Sequence, residues 1–154
     1  MSQQMDAYVE KWVGYLNASD RDMSVMAARK LAKSNDPRTI RELINALQGR
    51  PDDIRVAAVR ALGEIGDKFA VKPLVRLLHD QDPIIASAAA DALGAIGDES
   101  AAPALIDVLR NFKTGNSRHF QLHGFNRGVF MSAIYALQRI NTPEARRAVQ
   151  QYHR

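Results

Sequence analysis

The chain has 154 residues, 46% of them hydrophobic and 25% charged, with a formal net charge of +4 and no cysteine. This length predicts one domain, residues 1–154, with a substantial core, and the lack of cysteine excludes disulfides, thiol nucleophiles and zinc–thiolate sites. No run of about 18 apolar residues occurs, and the start lacks the basic and apolar blocks of a secretory signal, so we expect a cytoplasmic protein without a membrane partner.

Basic residues are concentrated in the C-terminal third of the sequence. Residues 110–154 contain eight Lys or Arg residues and one acidic residue, Glu144. Six of the ten aromatic residues and three of the four histidines also lie in this part of the chain. The basic character of the protein therefore belongs to its C-terminal third.

Apolar residues recur at i, i+3, i+4 and i+7 along most of the chain, which predicts helices and requires no strand. Asp36, Asp82 and Thr142 each precede a proline, and we expect each to cap the start of a helix. Gly66 and Gly97 are expected at left-handed helix ends. The predicted fold class is all-α. In chain order, the helices are predicted near 5–17, 22–34, 37–48, 53–65, 68–79, 83–96, 99–111, 127–140 and 143–152.

A period of 31 residues runs through the sequence. Leu31, Leu62 and Leu93 are equivalent positions, whereas Leu137 follows Leu93 by 44 residues, which indicates an insertion of 13. A pair of helices that cannot bury its apolar stripe alone must stack on its neighbours, so the pattern predicts a right-handed α-solenoid (α-α superhelix) of about four helical-hairpin repeats. The predicted units are a half repeat at 5–17, repeats near 22–48, 53–79, 83–111 and 127–152, and an inserted loop at 112–126.

Residues 53–82, DIRVAAVRALGEIGDKFAVKPLVRLLHDQD, resemble the short HEAT-like repeat of the phycobilin-lyase type, with its core VR-x-A-A-x-x-A-L-G-x-I-G-D. Residues 53–109 match closely, residues 22–52 and 126–152 match more loosely, and the inserted loop does not match. Such repeats occur in bilin lyases, phycobilisome-degradation factors and many scaffold proteins. The resemblance therefore implies the helical-hairpin architecture, and the residues that match are structural, so no catalytic residue is carried over.

The second helix of each repeat has polar and mildly basic residues between its core leucines. Because second helices are expected to line the concave side of such a solenoid, this surface predicts a groove for another protein with an acidic surface. The alternative is the solvated side of amphipathic helices. Nucleic acid is disfavoured, because phosphate binding needs more aligned cations than this surface offers. We call the surface the second-helix face; its predicted binding residues are Arg41, Lys72, Arg76, His79 and Arg110, with Asn45, Gln48 and Asp107 between them.

The segment NFKTGNSRHFQLHGFNRG, residues 111–128, is aromatic and basic and contains no acid. A long loop of this composition predicts a recognition element. The alternative is a structural cap in which Phe112, Phe120, Leu122 and Phe125 cover the core of the last repeat. The residues predicted to contact a partner are Arg118, His119, Phe120, His123, Phe125 and Arg127.

No residue pattern in the sequence specifies chemistry. His119 and His123 are four residues apart, but no Asp or Glu lies between residues 108 and 143 to complete a metal site. No carboxylate pair and no nucleophile beside a base is specified either, so we predict no catalytic residue, cofactor or metal. The predicted function is a non-enzymatic scaffold, adaptor or chaperone-like binder that uses the concave face and the 112–128 loop. The alternative, which the resemblance permits, is a bilin lyase subunit or phycobiliprotein chaperone.

Overall fold

The computed structural model describes residues 2–34, 36–115 and 127–152, and these residues form nine α-helices and no strand. The all-α prediction is confirmed. Two short 3-10 turns, Lys68–Ala70 and Glu99–Ala101, lead into the fifth and seventh helices. The helices are α1 Ser2–Leu16, α2 Arg21–Leu31, α3 Pro37–Asn45, α4 Asp52–Ile65, α5 Val71–Leu77, α6 Pro83–Ile96, α7 Ala102–Lys113, α8 Arg127–Ile140 and α9 Pro143–Tyr152.

The helices stack in two layers. The first helices of the repeats, α2, α4, α6 and α8, pack side by side in chain order, while α3, α5, α7 and α9 form the second layer behind them. Helix α1 packs against α2 and α3, as the second helix of a half repeat would. Each helix pair thus buries its apolar stripe between its neighbours, which is the predicted α-solenoid.

The predicted helix ends are confirmed by their hydrogen bonds. Side-chain oxygens of Asp36, Asp82 and Thr142 accept backbone N–H groups two or three residues further on, at 2.8, 2.8 and 3.1 Å. Gly66 and Gly97 end α4 and α6 with φ angles of 76° and 72°, in the left-handed region that glycine adopts without a steric penalty. Local sequence therefore sets where these helices begin and end.

The repeating leucines form the core between the two layers. Leu31, Leu62, Leu93 and Leu137 are fully buried at equivalent positions of the four first helices. The equivalent leucines of the second helices are also buried: Leu43, Leu74 and Leu105, and then Leu47, Leu78 and Leu109.

Neighbouring first helices approach each other almost to backbone contact. A Cβ atom added to Gly63 would lie 2.9 Å from Cα of Ala92, and one added to Gly94 would lie 2.7 Å from Cα of Ala136. Real Cβ atoms do not come this close to a neighbouring backbone. Glycine opposite alanine is therefore what allows α4, α6 and α8 to stack at this spacing.

Arg55 connects two loops at one edge of the stack, the loop before α4 and the loop before α6. Its Nε donates to the carbonyl oxygen of Leu47 at 2.9 Å, and its terminal nitrogens form ion pairs with Asp52 and Asp80. The side chains of Arg55 and Asp80 are only 17% and 13% exposed, so this pair is shielded from solvent more than most ion pairs. The loops before α4 and before α6 are thereby fixed relative to each other.

An aromatic cluster covers the C-terminal end of the core. The ring of Phe112 stacks on Phe130 with centroids 4.3 Å apart, and Phe130 meets Tyr152 edge-on at 5.6 Å. Of the four apolar residues in the structural-cap alternative, Phe112 thus packs at the end of the solenoid. The other three, Phe120, Leu122 and Phe125, lie outside the described residues.

In the part of the chain that the structure describes, no helix combines the length and the apolar character needed to cross a membrane.

The contact at Gly94 predicts opposite effects of alanine at two helical glycines. Gly94→Ala should lower the free energy of unfolding by about 1 to 3 kcal/mol, because the new methyl group forces α6 and α8 apart. Gly14→Ala is the matched control, since a Cβ atom there meets nothing within 4 Å. It should leave stability unchanged or raise it by up to about 1 kcal/mol through helix propensity. Chemical denaturation of both variants measures the difference, and equal effects would contradict the close packing.

Candidate functional site

The second-helix face is exposed, as the sequence predicts for a binding surface and equally for a solvated one. The five residues predicted to bind on this face are all exposed on the second layer: Arg41, Lys72, Arg76, His79 and Arg110. Lys72, Arg76 and His79 follow one another at i, i+4 and i+7 and so share one side of the chain from α5 into its C-terminal turn. The structure thus brings these five residues onto one layer, on three consecutive repeats.

The cations of this face differ in what they contact. Arg110 forms an ion pair with Asp107 at 2.8 Å, so its charge is partly compensated. Among the residues that the structure describes, the side chains of Arg41, Lys72 and Arg76 form neither an ion pair nor a hydrogen bond. Three uncompensated cations therefore remain available on α3 and α5.

The predicted recognition loop falls largely outside the described residues. Arg118, His119, Phe120, His123 and Phe125 all lie in the segment 116–126, for which the structure describes nothing. Arg127, the sixth predicted residue, is exposed at the start of α8. The role of the loop therefore stays a prediction.

The first layer carries two adjoining clefts that the sequence does not point to. One cleft, of about 380 Å³, lies between α2 and α4, and the other, of about 450 Å³, lies between α4 and α6 and reaches Gly128 of α8. Arg60, Glu64 and Ile84 line both clefts. We call the two together the first-helix cleft.

The floor of the first-helix cleft is apolar. Val25 and Val56 lie at equivalent positions of α2 and α4, and Ala88 and Ala92 continue the floor along α6. Ile84 stands where the two clefts meet and is 62% exposed. A large apolar side chain at this exposure, on an apolar floor, is typical of a surface that another molecule covers.

Charged side chains stand along the first-helix cleft in a fixed order. Arg29, Arg60 and Asp91 are equivalent positions of three consecutive repeats, and Glu64 lies one helical turn after Arg60. Within the described chain, none of these four side chains forms an ion pair or a hydrogen bond. The cleft therefore presents two free cations followed by two free carboxylates.

Other acidic groups near the cleft are already engaged. Arg21 forms an ion pair with Asp53 at 3.0 Å, and this hydrogen-bonded guanidinium holds the pKa of Asp53 below its ordinary value. Asp52 contacts Arg55, and Asp82 caps α6. These carboxylates stabilise the fold and leave the charge pattern of the cleft to the four free groups.

The first helices are the ones in near-backbone contact, through Gly63 and Gly94. The second-helix face lies on the other layer of the stack. That this face is the concave side stays a prediction.

The sequence contained a signal for the first-helix cleft. Glycine follows leucine at the same repeat position, as Gly63 and Gly94, which indicates the layer that packs most closely. Ile84 is an apolar residue at the position where the preceding repeat has Asp53. Together these two features mark an apolar surface on the first layer.

No three His, Cys, Asp or Glu residues gather into a cluster able to hold a metal ion in the described residues.

Comparison with known proteins agrees with the repeat and the fold. A family model for HEAT repeats matches residues 40–114. The structure of the complex of CpcE and CpcF of phycocyanin lyase from Nostoc sp. PCC7120 is similar with a TM-score of 0.72 and 24% identity, covering 94% of this chain and 63% of that one. An engineered protein is similar with a TM-score of 0.57 and 26% identity, covering 94% of this chain and 68% of that one.

The chain thus spans less than two thirds of the lyase-complex chain that it resembles. No curated protein matches the sequence. The predicted HEAT-like repeat is confirmed by the family model and by the shared fold of the lyase complex. Residues 40–114 thus match HEAT repeats, and the chain shares the α-solenoid fold of the solved structures.

Proposed function

We propose that this protein is a non-enzymatic scaffold, an adaptor or chaperone-like binder of another protein. The observation that carries the proposal is the exposure of Ile84 on the apolar floor of the first-helix cleft, between free charges of both signs. An apolar patch rimmed by charged groups is typical of protein–protein contact surfaces. The complex of two chains formed by the similar lyase proteins supports the same role.

The second-helix face offers a further contact surface for an acidic partner. Arg41, Lys72 and Arg76 are exposed and uncompensated, and they would attract a negatively charged protein surface over several ångströms. We propose that this face and the 112–128 loop take part in partner binding, with Arg127 at the end of the loop.

Charge reversal on α5 tests the second-helix face. The partner is first captured on the immobilised protein and identified by mass spectrometry. Lys72→Glu combined with Arg76→Glu should then weaken its binding, mainly by slowing association, and the loss should shrink as salt increases. Lys33→Glu with Arg139→Glu is the matched control, with the same change of charge at two exposed residues that belong neither to the second-helix face nor to the lining of the first-helix cleft. Equal binding by both double variants would remove this face from the proposal.

Replacing residues 116–125 with a short Gly/Ser connection tests the loop. If the loop is a recognition element, the replacement should abolish partner capture. Helicity and melting temperature should be preserved, because the entropic cost of closing a loop changes only slowly with its length. Arg118→Ala and Phe120→Ala should each reproduce part of the loss. Early melting of the replacement, with normal binding by both point variants, would instead indicate a structural cap.

A second candidate function is a bilin lyase subunit or phycobiliprotein chaperone. The similarity in fold to the phycocyanin lyase complex over 94% of this chain favours it. Incubation of the purified protein with bilin and an apo-phycobiliprotein should then produce a shifted visible absorption band that persists after denaturation if a covalent bond has formed. An unchanged spectrum, compared with a sample lacking the protein, would count against this candidate.

A further inference from the structure

We infer that the first-helix cleft binds an amphipathic helix of a protein partner, with acidic residues over Arg29 and Arg60 and basic residues over Asp91 and Glu64. This inference rests on the proposed protein-binding function and assigns the partner's chemistry at one surface. Three features of the cleft carry it: its length, its apolar floor and the order of its free charges.

The length of the cleft suits a short helix. It extends from Val25 of α2 to Gly128 of α8, across four packed helices. Neighbouring packed helices lie about 8 to 10 Å apart, so the cleft is about 24 to 30 Å long. A helix rises about 1.5 Å per residue, and one of about 16 to 20 residues would fill this length.

The floor of the cleft matches the apolar stripe of such a helix. Val56 and Ile84 are large enough to pack between side chains at i, i+3 and i+4 of the partner. The alanines of α6 leave room beside them for larger residues. Burying Ile84, now 62% exposed, would add to the driving force for binding.

The free charges of the cleft determine which residues of the partner helix flank its apolar stripe. Arg29, Arg60 and Asp91 occur once per repeat, so they follow one another at the helix spacing of about 8 to 10 Å. Two turns of a helix rise about 11 Å, so partner residues at i, i+7 and i+14 would meet them in turn. The complementary sequence has acidic residues at the first two positions and a basic residue at the third.

The carboxylates argue against a nucleic acid in this cleft. Glu64 and Asp91 are exposed and free of ion pairs within the described chain. A phosphate backbone would be repelled along half of the surface, since duplex binding relies on uninterrupted neutralisation by Lys and Arg. A peptide helix can place both signs of charge where they are needed.

Selection from a displayed library of helical peptides tests the inference. The library consists of 18-residue peptides with a fixed apolar stripe, in which positions i, i+7 and i+14 vary among acidic, basic and neutral residues. Peptides selected on the wild-type protein should carry acidic, acidic and basic residues in that order, or the reverse order if the helix binds in the opposite direction.

The selected peptides are then measured on variants. Arg29→Glu with Arg60→Glu, and separately Ile84→Asp, should weaken binding about tenfold or more, while Lys72→Glu with Arg76→Glu, the same change of charge on the second-helix face, should not. Replacing the two acidic residues of a selected peptide with lysine should restore binding to the Arg29→Glu, Arg60→Glu variant. Circular dichroism confirms that each variant is folded.

Two results would overturn the inference. One is a selection that yields no peptide above the background of an unrelated helical protein, or peptides without charge order. The other is that the selected peptides no longer bind the Lys72→Glu, Arg76→Glu variant but still bind the cleft variants. If the natural partner still binds the cleft variants but no longer binds the Lys72→Glu, Arg76→Glu variant, the cleft assignment fails while the protein-binding function stands.

Discussion

The close contact between first helices is the constraint on which the rest of the structure depends. Gly63 against Ala92 and Gly94 against Ala136 bring three helices almost into backbone contact. A larger residue at either glycine would separate the helices and spread the second layer with them. The contact therefore fixes the spacing of the repeats, and with it the spacing of the exposed side chains on the same helices.

The polar contacts at the edge of the stack differ from one repeat to the next. At one repeat position, Arg55 holds the neighbouring loops through the carbonyl of Leu47 and the carboxylate of Asp80, whereas Ser24, its equivalent in the first repeat, lies within hydrogen-bond distance of nearby carbonyl oxygens. The next equivalent is Ala86, which can make no such bond. The ion-paired connection thus lies in the second repeat, on α4, which lines both parts of the first-helix cleft.

Much of the fold could be predicted from the sequence because its determinants are local or periodic. The Asp36 cap, the left-handed Gly66 and the buried Leu62 each follow from a few neighbouring residues or from the 31-residue period. Which layer packs more closely is a property of neighbouring repeats, set by pairs such as Gly94 and Ala136 that are distant in sequence. Gly63 and Gly94 mark the close-packed layer in the sequence, but the residues that they meet lie in the next repeat. The sequence analysis therefore pointed to the second-helix face and not to the first-helix cleft.

The insertion falls between α7 and α8, at a repeat boundary that has no counterpart of the Arg55–Asp80 ion pair. It connects α7 of the second layer to α8 of the first, at the same edge where Arg55 and Asp80 form their ion pair one repeat earlier. The equivalent positions here are Ala86 and Asn111, so the insertion interrupts no such pair. The described residues on either side of the insertion belong to different surfaces: Arg110 of α7 lies on the second-helix face, and Gly128 of α8 lines the first-helix cleft. The close helix contacts at Gly63 and Gly94, which set the spacing of the stack, are made by helix residues outside the inserted segment.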